Sequence, residues 1–187
     1  EGAIGRIDIS RSATELASTN GNVGNGFVLG LSLDASIRLG MIGLPQALLT
    51  AGLLVRDTAI DDPLIAMERK VVPNDRGNVR LGFRHDMPGQ GLNYGFSYND
   101  GIDGNRPLYD IDNVLFIGSS SDFTVFVEKS GFAGFTYRFE AVNVLDHESK
   151  RERRRYDGYL RDGVLSEIER FSTTSGVKLV LKIRGTF

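Results

Sequence analysis

Few residues in this chain have the chemistry to act, and most of them are charged. The run Glu148–Arg155 (ESKRERRR) brings Lys150, Arg151, Arg153, Arg154 and Arg155 close together. Guanidinium clusters of this kind grip phosphates or carboxylates, lipopolysaccharide phosphates among them. The commoner reading of such a run is a solvated loop whose cations pair with Glu148 and Glu152, and exposed pairs contribute little. Asp100-Gly101-Ile102-Asp103-Gly104-Asn105 has the flavour of a calcium loop. Its acidic spacing departs from the EF-hand pattern and no later Glu completes it, so a turn-rich loop is the expectation. The two histidines, His85 and His147, stand in neither HxxxH nor HExxH spacing, and the chain has no Cys. A protein-made metal site and thiol chemistry are therefore not expected. Ser119, Ser120 and Ser121 lack a glycine-flanked elbow and a nearby His. The chain is expected not to be an enzyme and to carry no catalytic residue, cofactor or metal.

The remaining charged residues of note recur at a fixed rhythm. Asp34, Arg38, Arg80, Arg138 and Glu140 each sit between apolar neighbours, and Arg84 sits between Phe83 and His85. A period of two places such residues on one face of a strand and the apolar set on the other. Phe27, Leu29, Leu31, Leu33, Ala35, Ile37 and Leu39 share one face against Gly30, Ser32, Asp34, Ser36 and Arg38. That alternation runs far beyond the five or six residues usual in soluble strands. The same pattern closes the chain, with Val177, Leu179, Leu181 and Ile183 alternating with Lys178, Lys182 and Arg184 before a terminal Phe187. Eleven residues, Val177–Phe187, is about the length of a tilted strand crossing a bilayer.

Strands are predicted near 27–39, 47–56, 77–85, 92–100, 113–128, 132–142, 163–173 and 177–187, with a possible ninth near Ile4–Ile9. Thr19–Gly26 (TNGNVGNG) reads as a glycine–asparagine loop. The connections at 40–46, 86–91, 129–131 and 174–176 are short, and those at 57–76, 100–112 and 143–162 are long. Up-and-down membrane barrels show this asymmetry. The expected fold is all-β, an antiparallel transmembrane β-barrel segment. The polar residues Asp34, Arg38, Arg80, Arg84, Arg138 and Glu140 would line its lumen. The mean hydropathy of −0.15 is what alternating faces average to. The net charge of −2 argues against a nucleic-acid partner. Glu1-Gly2-Ala3 opens no secretory signal, so export implies processing or a longer chain.

Short motifs add to the pattern. They are Gly21-Asn22-Val23-Gly24 before a long strand, Asp62-Pro63 with a later Arg69, and Phe83-Arg84-His85-Asp86-Met87-Pro88 at a turn. Asn143-Val144-Leu145-Asp146 closes a strand, Arg153, Tyr156 and Gly158 follow, and Arg184-Gly185-Thr186-Phe187 ends the chain. In this order they resemble the C-terminal part of a TonB-dependent outer-membrane receptor, over roughly residues 20–187. The resemblance implies a 22-stranded barrel around a plug. This chain would supply the last eight or nine strands and no plug. It further implies residence in the Gram-negative outer membrane, among lipid and lipopolysaccharide, and delivery by the barrel-assembly machinery, which would read Val177, Leu179, Leu181, Ile183 and Phe187 on the terminal strand as an insertion signal. The remaining strands and plug would come from the same precursor or a separate chain. TonB would be engaged through that plug, and the function would be energised uptake of a scarce nutrient such as a siderophore, cobalamin or a saccharide. Two rivals stand beside it: a small self-contained barrel with a structural or adhesive role, and a soluble β-sandwich binding module.

Overall fold

The computed structural model describes residues 2–12, 14–71, 76–102, 106–118 and 121–185. In chain order the strands are β1 (Gly2–Asp8), β2 (Ser18–Asn25), β3 (Phe27–Leu39), β4 (Leu44–Asp62), β5 (Met67–Arg69), β6 (Gly77–Met87) and β7 (Leu92–Ile102). Then come β8 (Arg106–Tyr109), β9 (Asn113–Ile117), β10 (Asp122–Phe132), β11 (Phe135–Val142), β12 (Glu148–Asp157), β13 (Val164–Thr174) and β14 (Lys178–Gly185). No α-helix is present among the described residues.

The principal sheet is an antiparallel wall in the order β14-β11-β10-β7-β6-β4-β3, with the short β5 paired to the far end of β4. Every neighbouring pair along this path is antiparallel. The two edge strands β3 and β14 therefore run in the same direction. Tight links Gly40–Ile42 and Pro88–Gln90 gather at one end, each closed by a left-handed glycine, Gly43 at φ 81° and Gly91 at φ 57°. Residues directly opposite on antiparallel strands share a face. One apolar row crosses all seven strands as Ile37, Leu49, Phe83, Phe96, Val125, Ala141 and Leu179. A second row holds Ala47, His85, Tyr94, Val127, Phe139 and Leu181. Aromatic contacts knit this face, with Phe83 and Phe96 ring centres 6.0 Å apart.

The wall is one layer thick. Leu31 is 56 % exposed, Phe139 56 %, Leu181 52 % and Leu179 84 %. The buried apolar clusters lie instead at the end with the long connections. Ala3, Val23 and Ile60 pack with Ile7 and Val71 in one of them. Leu64, Ile65 and Ile111 pack with Leu16, Tyr109, Tyr159 and Leu160 in the other.

At that end the chain departs from expectation in an orderly way. The long connections are built of strands, not loops. A four-stranded sheet, β13-β12-β9-β8, repeats the order of the wall strands that it continues in sequence, β14-β11-β10-β7. The wall thus carries an upper storey, and the predicted single strand at 113–128 is two strands broken between Ile117 and Asp122. The strand predicted at 163–173 belongs to this storey, so seven of the eight predicted strands make the wall and the short β5 is its eighth member. The predicted loop at 57–76 is partly strand as well, because β4 runs on to Asp62 and pairs with β5. Thr19–Gly26, read as a loop, is mostly β2, paired to β1 from Ser18 to Asn25. Its glycines leave room for partners: a Cβ on Gly21 would lie 2.6 Å from the Ile7 side chain.

The crease between the storeys is held by the Asn-Val-Leu-Asp segment. Asn143 adopts a left-handed φ of 57° and is 8 % exposed. Its side-chain amide donates to Ser175 Oγ (3.3 Å) and the Gly176 carbonyl (3.2 Å), and its Oδ1 accepts from the His147 amide at 2.9 Å. Replacing Asn143 with Ala removes these bonds from a buried, left-handed position, and a loss of about 1–3 kcal/mol is expected. Hydrogen exchange should quicken at 143–147 and at 174–177; unchanged protection there would refute the role.

Candidate functional site

The six polar residues expected to share a face do share one. Asp34, Arg38, Arg80, Arg84, Arg138 and Glu140 all lie on the side of the wall opposite the apolar rows. Asp34 and Arg80 reach across β4 to one another, Oδ1 to Nη2 3.0 Å, over Gly52 between them in register. A Cβ on Gly52 would stand 2.9 Å from Asp34 Oδ1 and 3.0 Å from Arg80 Nε, so a side chain there would displace the pair. Arg84 pairs with Asp86 at 2.8 Å. Glu140 accepts from Arg138 Nε and Lys182 Nζ, each at 2.6 Å. Arg138 lies 3.6 Å from Glu128 and 3.8 Å above the Phe126 ring, and Asn93 donates to Glu128 at 3.1 Å. This network spans β14, β11, β10 and β7 and ties the terminal strand, through β11, to the two strands beyond it. The apolar residues of that strand, Leu179, Leu181 and Ile183, occupy the other face, and Val177 precedes it, 51 % exposed. Phe187, expected to complete the insertion signal, lies outside the described residues, as do Ser119, Ser120, Asp103, Gly104 and Asn105.

The charge run is not a loop but β12, sandwiched in register between β13 and β9. Its alternation is invisible in the sequence because charges occupy both faces. Arg155 pairs with Glu167 (2.5 Å) and Glu169 (3.1 Å), and Arg153 lies 3.7 Å from Glu169. Glu152 accepts from Arg170 (2.8 Å) and Arg154 (2.7 Å). Most cations of the run are thus engaged by acids of the same sheet, so the geometry favours internal pairing over phosphate capture. Hydrogen bonds from Arg170 and Arg154 hold the Glu152 carboxyl below its ordinary value of 4.5. A lowered acid contributes stability above its unfolded pKa and loses it as pH falls through the folded value. Exchange protection of β12 and β13 is therefore expected to be constant above about pH 4.5 and to fall below it. Protection that is flat down to pH 2 would contradict this.

The sequence did not point to the concave feature at this end. Residues Thr58, Ile60 and Asp62, on the polar-face side of β4, are buried where the β1–β2 hairpin and the 62–71 segment fold over them. Asp62 and Arg69 form a buried pair, Oδ2 to Nε 2.5 Å, with side chains 1 % and 7 % exposed. Asp62 also accepts from the Leu64 amide at 2.8 Å, and Arg69 sits 5.9 Å from the Tyr109 ring centre. Arg6 crosses to Asp110 at 3.0 Å, and Ser18 donates to the same carboxylate. Between these parts lies a cavity of about 510 Å³ whose polar lining includes Arg6, Asn20, Arg69, Tyr109, Asn113 and Arg153. Burial pushes the Tyr109 hydroxyl up. Burial would also raise Asp110, but hydrogen bonds from Ser18, the Ile111 amide and Arg6 outweigh it and keep the carboxyl below its usual range. Only Asp62, Arg69 and Arg153 were marked in the sequence, as parts of motifs. The rest come from strands 100 residues apart, and no local spacing joins them.

His85 sits within β6, its Nδ1 3.0 Å from the Tyr94 hydroxyl. Among the described residues no group of His, Asp and Glu is arranged to hold a metal ion. No protein-family model, curated protein or solved structure matches the chain.

Proposed function

We propose that this chain is part of the wall of an outer-membrane β-barrel of the TonB-dependent receptor type, serving energised uptake of a scarce nutrient across that membrane. One observation carries the reading: a hydrocarbon face continuous across seven strands, with no protein packed on it among the described residues, backed by a charged, hydrogen-bonded face. A water-soluble sheet buries such a face beneath a second layer. A bilayer solvates it directly, provided that the backbone groups of the edges are paired. Edges β3 and β14 would be completed by further strands and the polar face would look onto a lumen and plug. Ligand capture would fall to the upper storey and the plug, and TonB would act on the plug.

Alternate-residue accessibility tests this. Single cysteines at Leu33, Leu179 and Leu181 are expected to resist a water-soluble maleimide in intact membranes and to be quenched by lipid-phase probes. Cysteines at Asp34, Arg80 and Arg138 should show the reverse. Equal labelling of both sets, or recovery of the protein in buffer without detergent, would overturn the proposal and favour a soluble binding module.

A further inference from the structure

We propose that the cavity between the β1–β2 hairpin and the upper four-stranded sheet binds a small monocarboxylic acid with an apolar body. The argument rests on which hydrogen-bonding capacity remains. Asp110, the one acid lining the cavity, already accepts from Arg6 (3.0 Å), Ser18 and the Ile111 amide (2.8 Å). Its capacity as an acceptor is largely used. Arg6 is engaged as well, by Asn20 (3.3 Å) and Asp110, but Arg69 and Arg153 keep free N–H groups. Arg153 Nε is buried and has no hydrogen-bond partner, although Nη1 of the same group lies 3.7 Å from Glu169. Arg69 spends Nε on Asp62 and Nη1 on the Lys70 carbonyl, which leaves Nη2 beside Gly5 on the cavity lining. What these two guanidinium groups lack is an anionic acceptor, and a carboxylate supplies one in the geometry they prefer. Beside the polar Asn20, Tyr109 and Asn113, the lining has an apolar part made of Ile4, Pro107, Leu108 and Leu115. A volume of about 510 Å³ falls in the range of small-ligand sites.

The inference deepens the receptor reading by naming what its outer storey would capture, and its test separates the two. The full protein in phosphatidylcholine nanodiscs is titrated calorimetrically with 4-phenylbutyrate and with the uncharged 4-phenylbutanamide. The acid is expected to bind at least tenfold more tightly than the amide. Arg153→Leu should weaken the acid by tenfold or more, and Arg151→Leu, outside the cavity, should change nothing. Ile4 is 66 % exposed, so Ile4→Asp leaves packing intact while placing a like charge at the mouth. Ile4 also lines the cavity, so both ligands should weaken, the acid at least tenfold more than the amide. Equal affinity for acid and amide, no binding of either, or an Ile4→Asp variant that treats both alike would overturn the proposal. Integration into membranes, measured in parallel by alkali extraction, decides the wall reading: loss of binding with integration intact defeats the cavity alone.

Discussion

Arg69→Ala is expected to destabilise the upper part of the molecule by about 3–5 kcal/mol, the usual cost of stripping one partner from a buried ion pair. The reason is the carboxylate left behind. Asp62 has a side chain only 1 % exposed, and Arg69 Nε, 2.5 Å away, is its charge partner. Without the guanidinium, the Leu64 amide would be left facing an uncompensated buried charge. That same carboxylate orders the turn carrying Leu64 and Ile65, which pack with Ile111. The loss should therefore spread to β8 and to the β1–β2 hairpin, whose Gly5 lies against Arg69. The wall strands, held by their own ladders, should keep their protection. Removing both partners should cost less than the sum of the single changes, since Asp62→Ala takes away the charge that Arg69→Ala exposes. Urea denaturation followed by circular dichroism, with exchange resolved by segment, measures this. A loss below 1 kcal/mol for Arg69→Ala would mean that water reaches Asp62 and that the pair is not buried in solution.

Leu181→Arg is expected to cost roughly 2–4 kcal/mol of membrane stability if its depth is near the bilayer midplane. Leu181 stands opposite Phe139 on the apolar face. A guanidinium there must reach a headgroup or drag water inward. The neighbouring Val180, opposite Glu140 on the polar face, provides the comparison. Val180→Arg places the same charge beside an acid and should leave insertion close to normal. Outer-membrane levels and unfolding in lipid report both. Equal tolerance of the two substitutions would remove the distinction between the faces and, with it, the membrane reading.

How much of this was legible in the sequence follows from how each segment divides its residues between two faces. Phe27–Leu39 was readable residue by residue because its apolar and polar side chains divide between the two faces of one strand, so composition alternates with geometry. The same holds for β6, β7, β11 and β14. β12 escaped because its two faces are both charged: its order comes from Glu167, Glu169 and Arg170 on β13, some 15 residues away, and a sequence window sees only a polar run. β2 escaped because glycine and asparagine carry turn propensity, which pairing with β1 overrides. The cavity was out of reach for a further reason. Arg6, Arg69, Tyr109 and Arg153 meet only through a hairpin folded across the end of β4, a contact no periodicity encodes. The Asp62 and Arg69 motif was visible as spacing, and the structure supplies its cause as a buried pair.

The shared direction of β3 and β14 sets an arithmetic on any assembly that contains this wall. A ring in which every neighbour is antiparallel holds equal numbers of ascending and descending strands. Seven strands that both begin and end on a descending one cannot close on themselves, nor by abutting a second copy inserted with the same orientation, without forcing a parallel seam. The missing arc must contribute an odd number of strands and present an ascending strand at each of its borders. For a ring of twenty-two the arc would number fifteen.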